Sequence, residues 1–305
     1  MQTVLITGGT GLIGTELAKQ LSAKGYQVII LTRSPRKKEN NSSIRYAAWD
    51  IKKQEVDIPA FQSADFIIHL AGAGVVDKRW TESYKKEIVE SRTLSSKLII
   101  DTLRNHSNKV KAIISASATG WYGPDSPNSK AFVETDNAYT DFLGQTCLFW
   151  EQSIEPAQSL SVRVCKLRTG IVLANEGGAL AEFKKPLKFG IAAILSSGKQ
   201  MVSWIHRDDL CRMYIHAMEN EKMCGSYNAV APVPVTNKDL TLTLAKAMRG
   251  NFFIPMHVPS FVLKLMLGES SIEVLKSTTV SCEKIKATGF HFLYPSVAAA
   301  IKAFV

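Results

Sequence analysis

No two of the five cysteines, at positions 147, 165, 211, 224 and 282, form a C-x-x-C pair, and their number is odd. That argues against a disulfide framework and against a zinc knuckle, and no metal site is predicted. No apolar run approaches the ~20 residues of a membrane-spanning helix. No charged segment, apolar stretch and cleavage site precede the strand-like opening MQTVLITGG, so the expected compartment is the reducing cytoplasm. Long runs of like charge are missing as well. The formal net charge is +10, yet Lys and Arg are scattered, and the densest cluster, RKK at 36–38, sits in a polar loop. This disfavours nucleic-acid binding. Attraction of a phosphate-bearing ligand accounts for part of the excess, and solvated surface for the rest. There is no internal repeat and no low-complexity tract.

What remains is a globular chain, 46% apolar and 21% charged over 305 residues, enough for one large or two smaller domains. Its first half alternates short apolar runs with amphipathic ones. Strands are predicted at 3–7, 27–33, 44–50, 64–72, 110–118 and 160–173. Helices are predicted at 11–25, from about 81 to 105, and through DFLGQTCLFWE (141–151) to about 157. Apolar runs without alternation, separated by helices, indicate a doubly wound parallel sheet, the Rossmann arrangement. After residue 173 the rhythm breaks. Residues 175–203 read as a helix plus loops, a helix starts near Asp208, and 225–232 reads as a strand. From about 235 the chain reads as mostly helical, with Pro255, Pro259 and Pro295 at helix starts. The expected organisation is a dinucleotide domain over 1–174, joined by about 200–232, and a smaller, mostly helical lobe over 175–199 and 233–305.

TGGTGLIG, residues 7–14, lies between a predicted strand and helix. Gly8 permits a tight turn, Gly11 lets backbone approach a pyrophosphate, and Gly14 lets the helix pack on the strand. Thr10, Leu12 and Ile13 complete a loop whose N–H groups and helix dipole suit an anion. The second strand ends in Thr32 and Arg33, where a carboxylate would select NAD. Arg33 can instead meet a 2′-phosphate, with Thr32 donating a hydroxyl. Such a contact, at about 1.5–3 kcal/mol, favours NADP(H). Asp50 closes the third strand near the expected adenine. Leu70, Ala71 and Gly72 offer backbone to the adenosine ribose.

The blocks TGGTGLIG (7–14), HLAGAG (69–74), SASATGWYG (115–123) and WIHRDDL (204–210) resemble the extended short-chain dehydrogenases/reductases. GAGVVDKRWTESYKKEIVESR (72–92), DFLGQTCLFWE, GGALAEFKKPLKFG (177–190), SGKQMVSWIHRDDL (197–210) and LGESSIEVL (267–275) narrow the resemblance to the "epimerase family" branch, over essentially the whole chain. The resemblance implies NADP contacts at Thr32, Arg33, Leu70, Ala71, Glu87, Arg92 and Val172. Arg92 is independently reasonable as a fixed cation. Glu87, a carboxylate near phosphate, reads better as a ribose ligand or as a group that orients Arg92.

The wider family places a Tyr and, four residues later, a Lys on one helical face. Aligning Glu151 with the glutamate that commonly follows puts Leu143 and Cys147 at those positions. A positioned acid–base group is worth about 10²–10⁴ in rate, so another group must serve or catalysis is lost. The candidates are Ser117, Tyr122 and His206, each with a bland alternative as a turn, packing or backbone-capping residue. Cys147 reads as a buried, inert thiol. Lys78, Arg79 and Trp80 either bind an anionic or planar substrate or pin the lobe. Two functions stay open: an NADP(H)-dependent oxidoreductase or epimerase acting on a nucleotide sugar or carbonyl compound, and a non-catalytic NADP(H)-binding sensor or assembly factor. A monomer or homodimer is expected.

Overall fold

The computed structural model describes residues 1–35, 43–126 and 130–305. The RKK cluster at 36–38 lies outside them. The chain opens with β1 (Thr3–Thr7), α1 (Leu12–Ala23), β2 (Gln27–Thr32), β3 (Ile44–Asp50), β4 (Glu55–Val56), α2 (Ile58–Gln62) and β5 (Phe66–His69). It continues through α3 (Glu82–Asn105), β6 (Ala112–Ala118), α4 (Phe142–Ile154) and β7 (Arg163–Thr169). Then come β8 (Ile171–Leu173), α5 (Gly178–Leu187), β9 (Ile191–Leu195), β10 (Met201–Val202), β11 (Trp204–His206), α6 (Arg207–Glu219) and β12 (Gly225–Ala229). The last elements include β13 (Val235–Thr236), α7 (Asn237–Arg249), β14 (Ile254–Val258), α8 (Ser260–Leu267), α9 (Ser271–Leu275), α10 (Glu283–Lys286) and α11 (Val297–Lys302).

Eight strands form the central sheet in the order β12-β7-β6-β5-β1-β2-β3-β4. Every pairing is parallel except β3 with β4. Side chains alternate across the sheet, and each face has its own core. Val4, Ile6, Val28, Ile30, Ile68 and Ile114 pack under α1 and α6. Leu5, Ile29, Leu31, Ile67 and Ile113 pack under α2 and α3. This is why the strands read as unbroken apolar runs. The chain leaves β1 toward β2 and β3, then returns to β5 on the other side of β1. The crevice at the carboxyl ends of β1 and β5 is therefore a topological switch point.

Two expectations need correction. The strand expected over 160–173 is broken at Gly170, whose Cβ would lie 2.5 Å from the Ser203 carbonyl oxygen. β7 stays in the main sheet, and β8 leaves it to pair with β11. Residues 175–203, expected as a helix plus loops, also hold β9 and β10, which pair with β14 and β13 of a tail that is mostly helical as expected. Pro255 lies in β14, not at a helix start. β9 is β14's partner in a two-stranded sheet, so β14 has a free edge where a missing N–H is tolerated. Pro259 does precede α8, and Ser296, just after Pro295, caps α11. A third core, built on Leu173, Leu180, Trp204, Leu244 and Ile301, ties α5, α7 and α11 together.

Candidate functional site

The loop from β1 into α1 has the geometry its glycines require. Gly8 has φ +69°, and a Cβ there would sit 2.9 Å from the Leu70 carbonyl carbon. A Cβ on Gly14 would meet the Gly8 carbonyl oxygen at 2.4 Å, so loop and helix close tightly. At Gly11 the nearest atom to such a Cβ is 3.3 Å away, and the outer side is open. Gly11 is the N-cap of α1 and no side chain caps that helix, leaving its first N–H groups for a ligand. Thr10 is exposed, and Leu12 and Ile13 are half-buried beside it.

A buried chain of hydrogen bonds fixes the opposite wall. Thr7 Oγ1 lies 2.7 Å from His69 Nδ1 and accepts the N–H groups of Leu70 and Ala71, each at 3.1 Å. His69 Nε2 contacts the hydroxyls of Ser96 at 3.2 Å and Ser95 at 3.3 Å. Burial, then the nearby Arg92 charge, push the His69 pKa down to about 3, so the ring is neutral. This network was missed in the sequence. Its signal was a polar Thr and His closing adjacent apolar strands.

Arg92 projects from α3 into the same crevice. Its Nη1 donates to the carbonyls of Ala73 at 3.1 Å and Ile88 at 2.8 Å, and its guanidinium lies 4.7 Å from the Trp150 ring centroid. A Cβ on Gly72 would press on that guanidinium at 3.2 Å. Arg92 is buried, and burial lowers its pKa from the usual arginine value. Among the described residues no carboxylate pairs with it. Glu87 is exposed and pairs with Lys78 at 3.4 Å, so it does not orient Arg92 as one alternative held. Thr32 and exposed Arg33 end β2 at the rim. Asp50 Oδ1 is engaged by the backbone N–H groups of Lys52 and Lys53, closing its own turn. Val172, on β8, is half-buried and registers with Ile205.

Two of the three acid–base candidates, Ser117 and Tyr122, share one buried network, and His206 lies outside it. Ser117, Arg168 and Asn228 form one row across β6, β7 and β12. Ser117 Oγ donates to Glu151 Oε1 at 2.7 Å. Arg168 binds both Glu151 oxygens, at 2.8 and 3.1 Å, while Lys166 reaches Glu155 at 2.6 Å. Burial works to raise the Glu151 pKa, but Arg168, Lys166 and Ser117 override it and hold the carboxylate ionised. Tyr122 is wholly buried. It donates to Asn228 Oδ1 at 2.7 Å, accepts from Arg168 at 3.0 Å, and burial pushes its pKa up to about 12. His206 caps α6 by accepting the Asp208 N–H at 3.0 Å, between the rings of Tyr294 and Phe304. Burial lowers its pKa. Ser117 and Tyr122 thus have their hydroxyls engaged inside the fold, and His206 is buried with Nε2 free of any hydrogen-bond partner among the described residues. Lys78 pairs with Glu87, Arg79 donates to the Leu265 carbonyl and Trp80 to the Val75 carbonyl.

A small open cleft lies past the carboxyl end of β6. Thr119, Ile171, Phe183, Met201, Val202 and Val274 line it, with Glu273 and Lys276 as its ionisable side chains among the described residues. These two were missed in the sequence; the signal was a Glu and a Lys three residues apart on either side of a short helix's end.

Residues 4–142 match the NAD dependent epimerase/dehydratase family, and residues 258–304 match a domain of unknown function, DUF1731. An epimerase family protein of Staphylococcus aureus (strain MRSA252) is 36% identical over 306 residues, covering 99% of this chain and 98% of that one. This chain belongs to the epimerase family of extended short-chain dehydrogenases/reductases. Human epimerase family protein SDR39U1, whose crystal structure holds NADPH, superimposes with a TM-score of 0.86 at 28% identity, covering 99% of each chain. UDP-glucuronic acid 4-epimerase from Bacillus cereus, seen with UDP-glucuronic acid and NAD, has a TM-score of 0.80 over 99% of this chain and 97% of that one. At 19% identity the latter shares the fold.

Seen as an epimerase-family chain, α4 carries an informative substitution. Leu143 and Cys147 face the turn after β6, at 3.4 and 3.7 Å from where a Gly120 Cβ would lie. On the alignment expected from the sequence this face would carry the Tyr and Lys, and apolar packing fills it here. Cys147 is buried, its Sγ 3.7 Å from the Ala118 carbonyl, and burial pushes its pKa up to about 12. It is the inert thiol expected. Among the described residues no helix is long and apolar enough to cross a membrane.

Proposed function

We infer that this chain binds NADP(H) in the crevice between β1 and β5 and acts as an oxidoreductase-like or epimerase-like enzyme with a rebuilt acid–base set. The observation that carries the reading is Arg92, a buried guanidinium with no carboxylate partner among the described residues, opposite an uncapped helix N-terminus. A desolvated cation is costly unless an anion joins it. The residues fit a dinucleotide: Gly11 leaves room for the pyrophosphate, and the N–H groups of Leu12 and Ile13 face it. Leu70, Ala71, Gly72 and Val172 supply the backbone wall. Glu87 and Asp50 offer acceptors to ribose hydroxyls. Thr32 and Arg33 meet a 2′-phosphate. The bound dinucleotide would supply or accept hydride at its nicotinamide ring. Arg92 stands in for the missing lysine as the fixed cation of the crevice, reached from α3 instead of α4. On this reading residues 1–174 and about 200–232 hold the cofactor, and 175–199 and 233–305 form the substrate side.

A second reading, a non-catalytic NADP(H) sensor or assembly factor, is favoured by one observation: Ser117, Tyr122 and His206 all have their polar groups enclosed. Calorimetric titration with NADPH and NADH tests what both readings share. NADPH is expected to bind at least tenfold more tightly than NADH. Arg33→Ala should erase the difference, and Arg92→Ala should weaken both. Equal affinity of the wild-type protein for the two would overturn the assignment of Arg33, and no binding of either would overturn the crevice.

A further inference from the structure

The cleft past β6 is mainly apolar, with Thr119, Gln200 and Asn237 among its neutral polar lining residues and one ion pair. Glu273 Oε1 and Lys276 Nζ are 2.8 Å apart, with their side chains mostly buried. Lys276 Nζ also reaches the Tyr122 carbonyl at 3.5 Å. Apart from the ion pair, Glu273 Oε1 is buried without a hydrogen bond. The strap that carries the lysine is firmly held. Asp125 accepts from Thr279 N, Thr279 Oγ1 and Ser277 Oγ, each at 2.8 Å. Ser277 Oγ in turn accepts the Met201 N–H at 2.9 Å. Asp125 lies just beyond the turn holding Thr119, so the clasp fixes Lys276 beside the carboxyl end of β6.

We propose that Lys276 is the proton donor to a substrate carbonyl held in this cleft, that Glu273 orients it, and that the substrate is an uncharged, mainly apolar aldehyde or ketone. The proposal rests on the reading that a reduced dinucleotide occupies the neighbouring crevice. The carbonyl carbon takes a hydride from that dinucleotide, and the C=O π pair moves onto oxygen. The oxygen takes a proton from the Lys276 ammonium, and the amine left behind regains one from water. A neutral hydroxyl on Thr119 completes the polar end. The class follows from charge. A nucleoside diphosphate sugar brings two phosphate charges, whereas the cleft's one cation is already balanced by Glu273. Apolar walls such as Phe183 and Val274 suit a hydrocarbon body instead.

The test uses the full chain saturated with NADPH, with 4-nitrobenzaldehyde and 2-nonanone as probes and UDP-glucose beside them. Binding is read by quenching of NADPH fluorescence and turnover by loss of NADPH absorbance. Lys276→Met should leave the NADPH Kd within twofold, weaken probe binding at least tenfold and lower kcat by about 10²–10⁴. Lys276→Arg keeps the cation but cannot release a proton, so KM should be near normal while kcat stays low. Wild-type turnover in Lys276→Met, no binding of either carbonyl probe, or tighter binding of UDP-glucose than of both probes would each overturn the proposal. Loss of NADPH binding in the wild-type protein would instead fail the cofactor reading on which it rests.

Discussion

Ser117 Oγ donates to Glu151 Oε1 at 2.7 Å, which ties the end of β6 to α4 through a buried carboxylate. The same carboxylate takes two bonds from Arg168 and one from Ser226. Ser117, which the sequence offered as a substrate-polarising residue, is here part of an ion-pair cluster.

Glu151→Gln keeps the shape but leaves Arg168 buried without its counter-charge. A loss of about 3–5 kcal/mol is expected, read from urea denaturation. Ser117→Ala removes one bond to a charged acceptor and should cost about 1.5–3 kcal/mol while NADPH affinity stays within twofold. Full stability with lost turnover in Ser117→Ala would restore Ser117 as a catalytic residue.

Gly11→Ala and Gly14→Ala should part company. A methyl at Gly11 meets one close protein atom, the Gly8 carbonyl oxygen at 3.3 Å, so the melting temperature should fall far less than for Gly14→Ala while dinucleotide affinity falls at least tenfold. At Gly14 the methyl would overlap Gly8, so the folded protein itself should suffer. Thermal melts with calorimetric titration separate the two; undiminished binding by Gly11→Ala would count against the crevice.

His69 makes the fold acid-sensitive. Its folded pKa is pushed down to about 3 from 6.5, so between these values the unfolded chain binds the extra proton. The contribution is fully present above pH 6.5 and is lost as pH falls toward 3, with a slope approaching 1.4 kcal/mol per pH unit. Burial also lowers the pKa values of His206 and His216, which adds to the slope in the same direction. His69→Asn should be less stable at pH 8 but lose stability less steeply between pH 6 and 4. Parallel slopes in denaturation series across that range would refute the role given to His69.

Thiol labelling should be one-sided. Cys224 is exposed, and the other four cysteines are buried. Cys147 and Cys165 are each raised to about 12, leaving almost no thiolate at neutral pH. Iodoacetamide on the native protein should modify Cys224 first and spare Cys147, as judged by peptide mass spectrometry. Fast loss of the Cys147 thiol would show that α4 opens or that the thiol is activated.

Local spacing carried the glycine loop and the strands of the central sheet, because both depend on residues close together in the chain. Gly8, Gly11 and Gly14 could be assigned roles from their intervals alone. Ser117 and Tyr122 could not, since their partners, Glu151 and Asn228, lie 34 and 106 residues away. A hint existed in RVCKLRT, where Lys166 and Arg168 interrupt a buried strand and demand carboxylates, which Glu151 and Glu155 supply. β9 escaped notice because IAAIL is apolar throughout although its burial alternates, and β14 because it is short and almost wholly exposed. Glu273 and Lys276 escaped because the strap that delivers them is positioned by Asp125, about 150 residues earlier.

The Asp125 clasp has a consequence for biosynthesis. A ribosome releases β1 through β7 long before it reaches residue 276, and domains tend to fold amino end first during translation. The nascent chain can thus complete its nucleotide crevice while the neighbouring cleft still lacks one wall. The second chamber closes only when the last stretch of chain leaves the exit tunnel.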